Sequence, residues 1–562
     1  MLEIKQEKYM KETTRTKPSV KMTNLSKENT QIIIGNPGCG KTTRLIQKLS
    51  HLYEAGVPLN RIGYCSFSVA AIDEAISRAL TSLTTSKNSS ETCAGAVMKK
   101  DMLYFRTLHS MAFQLLGLAT DNLMTDDQTQ DFSRLIELPI SRDTVKKNGF
   151  HVPKVPLKGD KVMHIINTAK QYNLSVREYC QKHNVFDIQV DYLEDIQTKY
   201  EEYKILNSLY DYTDMLIMIN SADENDFPEL DYLFIDEAQD LSTIQWCFVN
   251  KLAKKSANII IAGDDKQSIN EFAGADVDTF LSLPGKVEVL EQSYRVPARV
   301  FNLANRVMKY MKKYRAAGAK WKPRAEEGSV IRCTSMPYAD MLSGEWFILT
   351  RTSYQMEKIK NELMRRTDKG ALLFTVDGVA PIDLDIFRAI NILQLASLPG
   401  FTIRNYLQIE DTDSPERRKD KLDYIYMFKK FATCSVPKNA QPWEINEEFI
   451  NKLEKNNWQT ALDKIPLSTL IYASRLYKQY TEKGDDLFKD APIKIMTVHK
   501  AKGREADNVV VVTDVSRTVK QTISEGVSDV EAKITYVAVT RAKKKLYLYT
   551  ENQNTISLNK YL

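Results

Sequence analysis

The sequence predicts an α/β protein built on parallel sheets and interrupted by two helix-rich insertions. Three observations carry this. Ile32-Ile33-Ile34 reads as a short buried strand; a glycine loop follows over residues 35–40, and then Leu45, Ile46, Leu49 and Leu52 fall on one helical face. Further apolar runs at 232–235, 259–261 and 509–512 alternate with helical patterns, which is the rhythm of strand–helix–strand units and parallel sheets. Residues about 111–204 and about 366–485 break the rhythm: they are rich in Lys, Asp and Tyr and poor in strand signals.

The chain has 562 residues, which at roughly 150 per domain is enough for about three to four folding units. Hydrophobic residues at 43%, charged residues at 27%, and only 21 Gly and 18 Pro exclude disordered, collagen-like and disulfide-stapled classes. A net charge of +6 proves no polyanionic partner, yet leaves room for basic patches. The seven cysteines are scattered and never spaced C-x-x-C, so zinc and iron–sulfur sites are not indicated and a reducing compartment fits. The start lacks the apolar core of a signal peptide, and no apolar run approaches the ~18 residues needed to span a bilayer. The expectation is a soluble, cytoplasmic protein without a membrane partner. Residues 1–29, polar and lysine-rich, read as a loosely held, flexible basic tail.

Gly35-Asn-Pro-Gly38-Cys-Gly40-Lys41-Thr42 fits G-x-x-x-x-G-K-[ST] between a strand and a helix. The glycines let backbone N–H groups wrap a phosphate chain, Lys41 brings a cation to the β and γ phosphates, and the Thr42 hydroxyl is a Mg²⁺ ligand. Such an enzyme needs carboxylates at the end of another strand. Asp236-Glu237-Ala-Gln-Asp240, after the 232–235 strand, supplies them: Asp236 toward Mg²⁺, Glu237 to accept a proton from the attacking water. A kinase does not need that adjacent glutamate, because its acceptor brings its own hydroxyl.

With these residues in place, the chain resembles the superfamily 1A DNA helicases of the UvrD, Rep and PcrA group, in order from residue 31 to about 550. Beyond the P-loop, Asp236 to Asp240 looks like motif II, and Gly263-Asp-Asp-Lys-Gln267-Ser-Ile-Asn270-Glu-Phe272-Ala273-Gly-Ala275 like motif III. Leu290-Glu-Gln-Ser-Tyr294-Arg295 is similar to motif IV. Ile495-Met-Thr497-Val-His499-Lys-Ala-Lys502-Gly-Arg-Glu505 is similar to motif V, and Tyr536-Val-Ala-Val-Thr540-Arg541-Ala542 to motif VI. The segments from Tyr64 through Phe67 to Ala71, and from Phe105 through Thr107 and His109 to Ser110, look like motifs Ia and Ib.

The resemblance implies two RecA-like P-loop domains with ATP between them. It places motor domain 1A at 30–110 and 205–290, accessory domain 1B at 111–204, motor domain 2A at 291–365 and 486–562, and accessory domain 2B at 366–485. It implies that Gly35, Gly38, Gly40, Lys41, Thr42 and Thr43 hold the nucleotide, that Arg295 and Arg541 act as arginine fingers, and that Gln267 senses the γ phosphate. Tyr294 would stack on adenine and Glu505 contact the ribose. Phe67 and Phe272 are the rings for a strand track, with core burial as the alternative for each. Thr107, His109, Thr497, His499 and Lys502 are its polar or cationic members, although His499 could equally hold motif V together. Basic runs in the insertions are expected either to grip duplex backbone or to form solvated helix faces: Arg142, Lys146, Lys147, Lys154, Lys158 and Lys161 in the first, and Arg417, Arg418, Lys419 and Lys421 ahead of Tyr424, Tyr426 and Phe428 in the second. Asp211 to Leu216 resembles the return from 1B, with no chemistry assigned.

Three departures qualify the resemblance. Lys21 stands near the place of the family's adenine-reading glutamine, which puts adenine selectivity in doubt. Asn270, Phe272 and Ala273 stand where the family commonly has tyrosine, tryptophan and arginine. No aromatic occurs from Asp514 to Lys533, where relatives place a duplex-splitting pin. The expected activity is an ATP-dependent motor on single-stranded DNA and single-strand/duplex junctions, 3′ to 5′, using Mg²⁺, in a bacterial or phage-like setting with replication, repair or defence partners. A translocase without unwinding and a nucleotide-gated DNA-binding switch are the rivals.

Overall fold

The computed structural model describes residues 22–85, 99–141, 144–147, 150–153, 157–312, 320–366, 371–395, 402–407, 409–410, 413–433, 447–454, 458–525, 529–551 and 557–562. In chain order the strands are β1 (Thr30–Gly35), β2 (Ile62–Ser66), β3 (Tyr104–Thr107), a short antiparallel pair β4 (Thr144–Lys147) and β5 (Phe150–Pro153), then β6 (Leu230–Asp236), β7 (Ser256–Gly263) and β8 (Lys286–Leu290). They continue with β9 (Ser329–Cys333), β10 (Trp346–Thr350), β11 (Phe374–Val376), β12 (Ile493–Thr497), β13 (Ala506–Val512) and β14 (Ala542–Tyr549).

Two six-stranded sheets result, β3-β2-β6-β7-β1-β8 and β11-β12-β10-β13-β14-β9. Every pairing in both is parallel. These are the two RecA-like units. Parallel sheets are covered by helices on both faces, so their strands carry apolar runs rather than alternation with polar residues. β1 shows the consequence: Ile32 and Ile34 pack into one core with Ile235, Trp246 and Ile261, while Ile33 enters the other with Leu45, Leu49 and Phe234. In β10, likewise, Trp346 and Ile348 face one core and Phe347 and Leu349 the other.

Both insertions are mainly helical, the first also holding the β4–β5 pair, and both carry apolar centres. In the first, Phe132, Val162, Ile166 and Leu193 form a separate core; in the second, Phe428, Phe449 and Leu470 extend the core under β10 and β12. The boundaries differ from expectation in three places. The helix Leu108–Leu116 buries Met111 and Ala112 against the first sheet, so the first insertion starts beyond it. β11 pairs with β12, so residues 374–376 belong to the second sheet, not to the insertion expected from 366. Residues 22–29 are packed rather than loose: Leu25 is buried, and Asn24 donates twice to Asn250, its N–H to Oδ1 at 3.1 Å and its Nδ2 to the carbonyl at 2.8 Å. The rest of that expected tail lies outside the described residues. No helix among the described residues is long and apolar enough to cross a membrane.

Candidate active site

The loop after β1 turns through two left-handed glycines, Gly38 (φ 73°) and Gly40 (φ 79°). Gly38 also admits a close neighbour, since a Cβ there would lie 2.3 Å from the Arg295 Cβ. Gly40 caps the helix Lys41–Glu54 without a side chain, which leaves the first-turn N–H groups to an anion. Buried Lys41 donates from Nζ to the Gly35 carbonyl at 2.9 Å. Thr42 Oγ1 donates to Asp236 Oδ2 at 2.8 Å, and Tyr64 OH donates to the same oxygen at 2.9 Å. Thr43 points outward and accepts from Arg78 at 3.3 Å.

Asp236 ends β6 and is buried. Burial first, and neighbouring Glu237 second, push its carboxyl up to about 6 against the bonds from Thr42 and Tyr64. Glu237 adopts a left-handed conformation (φ 53°), rare for a side-chain-bearing residue and common at constrained sites. Burial raises its pKa, but Lys41, Lys502, the Gln239 amide and Arg541 together hold it below the ordinary glutamate value. Gln239 Nε2 donates to Glu237 at 2.6 Å while its Oε1 accepts from the Asp264 N–H at 2.9 Å, tying motif II to the end of β7.

The second lobe closes on this loop. Ser293 Oγ donates to the Pro37 carbonyl at 2.8 Å, the Tyr294 N–H to the Gly38 carbonyl at 2.9 Å, and Tyr536 OH to Asn36 Oδ1 at 3.0 Å. Buried Arg541 donates from Nη2 to Gln267 Oε1 at 2.7 Å, and Gln267 donates to Asp264 at 2.8 Å. Burial and nearby Arg295 lower the Arg541 pKa, opposed by Glu237 and Glu505. Arg295 is bonded to Glu505, and Lys543 lies 3.8 Å from the same carboxylate. Glu505, expected at a ribose, thus holds an arginine here. Tyr294 is 74% exposed beside the loop.

The expected strand track divides. Phe272 is 48% exposed, with its ring edge-on to His499 at 5.4 Å. Phe67 is half-buried; Thr107 caps the helix Leu108–Leu116, accepting from the Ser110 N–H at 3.2 Å. Partly buried His109 meets Tyr212 edge-on at 5.9 Å, and desolvation, only partly opposed by Asp211, pushes its pKa down to about 4. It is therefore neutral at pH 7 and offers a hydrogen bond rather than a cation. Thr497 and His499 are buried.

Lys502, expected on the strand track, donates to Asp240 Oδ1 at 2.7 Å and to the Gln267 carbonyl at 2.6 Å, at the junction of the lobes. Members of the basic runs also have partners within the chain. Lys161 pairs with Asp187, and Lys158 lies over the Tyr192 ring at 5.9 Å. Arg417 and Lys421 share Asp413 at 3.4 and 2.7 Å, Lys421 being buried, and Phe428 is wholly buried. Arg142 and Lys154 lie outside the described residues, as do the side chains of Lys146 and Lys147.

Sequence reasoning assigned nothing to Tyr64, Gln239, Ser293 or Tyr536, each of which anchors a catalytic-loop atom. For Tyr64 and Tyr536 the available signal was a hydroxylated ring inside an otherwise apolar buried run, which requires a partner for its OH.

A glycine loop, a carboxylate pair at a second strand end and an arginine brought from another parallel sheet define a two-lobed P-loop nucleotide hydrolase. Comparison with known proteins narrows the class. Residues 17–288 match the UvrD/REP helicase N-terminal domain and residues 403–553 the UvrD-like helicase C-terminal domain, together more than half of the chain. The chain belongs to the UvrD/Rep helicase family, the ATP-hydrolysing DNA helicases of the UvrD/PcrA/Rep type. It is 22% identical to the ATP-dependent DNA helicase PcrA of Bacillus subtilis, over 81% of this chain and 73% of that one. It is 24% identical to the probable DNA helicase II homolog of Rickettsia conorii, over 93% and 90%. A solved arterivirus nonstructural protein 10 (helicase) with DNA aligns at 9% identity and a TM-score of 0.31, over 93% of this chain but 62% of that chain, too loosely to bear on the site.

Proposed function

We propose that the chain converts ATP hydrolysis into 3′-to-5′ movement along single-stranded DNA, separating duplex or stripping bound protein at single-strand/duplex junctions in replication, repair or defence. One observation carries the reading: Gln267 of the first lobe is gripped through its side chain by Arg541 and through its carbonyl by Lys502, both from the second. A triphosphate beside Lys41 changes the setting of these contacts, so hydrolysis and lobe movement share atoms. Lys41 and the loop N–H groups bind phosphate, Glu237 takes the proton of the attacking water, and Arg541 stabilises charge on the transferring group.

Thr42 Oγ1 and Asp236 Oδ2 are two hard oxygen donors 2.8 Å apart, the set that suits Mg²⁺ completed by phosphate and water. Bound there, the ion would neutralise phosphate charge. Among the described residues no group of three or more His, Cys, Asp or Glu side chains forms a further metal cluster.

The test is strand displacement on duplexes with a 3′ or a 5′ single-stranded tail. ATP-dependent opening of the 3′-tailed substrate is expected; ATP-independent behaviour on both sinks the motor reading, and opening of only the 5′-tailed one reverses the polarity. A translocase without unwinding is the second reading. It is favoured by the helix Arg517–Glu525, which occupies the aromatic-free stretch where relatives place a duplex-splitting pin.

A further inference from the structure

The turn Glu271–Ala273, which carries Phe272, is held by two other units of the chain. From the first insertion, Tyr172 OH donates to the Glu271 carbonyl at 3.1 Å. Buried Gln171 accepts from Ser242 Oγ at 2.7 Å and donates to Thr213 Oγ1 at 3.0 Å. Gly274, at φ 92°, closes the turn so tightly that a Cβ there would lie 2.6 Å from the Gln171 Cβ.

From the second lobe, Lys533 Nζ donates to Glu271 Oε1 at 2.9 Å. The lysine side chain is 1% exposed and its other carboxylate, Asp529, is 3.7 Å away; Glu271 is 33% exposed. A charge so fully desolvated does not release its partner cheaply, so the pair transmits displacement where a solvated pair would slip. Lys533 lies on the helix Val530–Val539, and Arg541 is folded back on the end of that helix, its Nε donating to the Val537 carbonyl at 2.9 Å. The lysine thus sits on the helix and the arginine is tied to its C-terminal end, about two helical turns away.

We propose that the Lys533–Glu271 ion pair is a positioning joint that passes motion of the arginine-bearing helix to the ring of Phe272, and so sets how strongly DNA drives hydrolysis. This rests on the motor reading above, in which Phe272 lines the strand track.

The experiment compares basal and single-strand-stimulated ATPase of the full chain, using oligo(dT) as the probe, in Glu271→Gln, Lys533→Met, their double variant and Lys533→Arg. Each single neutralisation is expected to reduce the stimulation about five-fold or more with basal turnover kept. The double variant should lose no more than either single, and Lys533→Arg should retain the wild-type ratio. Unchanged stimulation in both singles, or losses that multiply in the double, overturns the joint. If Lys533→Met does not fold, Glu271→Gln decides alone, since that side chain is partly exposed and loses only its charge. A wild-type chain whose ATPase ignores oligo(dT) overturns the motor reading, a result distinct from variants that keep a normal ratio.

Discussion

Arg541, from the chain of the second sheet, donates to the side-chain oxygen of Gln267 in the first at 2.7 Å, with its Nε on the Val537 carbonyl and Nη1 on the Arg504 carbonyl at 3.2 Å. Three acceptors around one planar fork is a demand that a point-charge ammonium cannot meet. Arg541→Lys is therefore expected to retain ATP binding while lowering kcat by about a thousand-fold, the scale of a lost arginine finger. Single-turnover hydrolysis with a parallel nucleotide-binding titration measures both; turnover within ten-fold of wild type, on the order of 1.4 kcal/mol, would place Arg541 in a structural role.

Lys41 and Glu237 separate binding from chemistry. Lys41 sits inside the glycine loop, and Glu237 is held ionised by Lys41, Lys502 and Arg541 against its burial. Lys41→Ala should weaken nucleotide binding and abolish DNA-stimulated hydrolysis. Glu237→Gln should bind nucleotide normally and lose about 10²- to 10⁴-fold in rate, the usual worth of a general base. Normal turnover in either variant contradicts the assignment.

The loop and the carboxylate pair were legible in the sequence because their chemistry needs contiguous residues: backbone N–H groups, a lysine and a hydroxyl within one turn, and two carboxylates at one strand end. What was not legible depends on which strands become neighbours. Tyr64 reaches Asp236 only because β2 lies beside β6, with Ser66 opposite Asp236 in register. The contacts of Lys502 were hidden for a related reason. The short helix Val498–Ala501 leaves His499 beside Phe272 but lets the next residue after it leave toward Asp240, so one motif serves two surfaces. Glu271 and Lys533 are 262 residues apart, and neither stands in a pattern that announces a partner.

His109 gives a pH dependence with a definite sign. Its pKa falls from the ordinary 6.5 to about 4 in the folded chain, chiefly through desolvation. Between those values the unfolded chain binds a proton that the folded chain refuses, so this contribution to stability is complete above about 6.5 and is lost as pH falls toward 4. With solvent screening of a partly exposed ring, the loss between pH 7.5 and 5 is about 1 kcal/mol. Thermal melts of wild type and His109→Gln at the two pH values measure it: the wild type should lose more melting temperature on acidification than the variant. Equal losses would show that the ring titrates as it does in water.

The contact between Lys502 and Asp240 predicts a stability effect that a DNA-binding lysine would not produce. Their side chains are 11% and 3% exposed, and Asp240, whose carboxyl burial pushes up to about 6, takes its largest compensation from that ammonium. Lys502→Ala strands a buried carboxylate at the lobe junction and should cost about 3 kcal/mol, the scale for removing one partner of a buried pair. Adding Asp240→Asn removes the stranded charge, and the new amide still has Asn270 beside it, whose Nδ2 lies 3.0 Å from Oδ1 of the present aspartate. The double variant should therefore recover more than half of the lost melting temperature. A lysine on the strand track would give the opposite pattern: weaker DNA binding at unchanged melting temperature, with no rescue by Asp240→Asn.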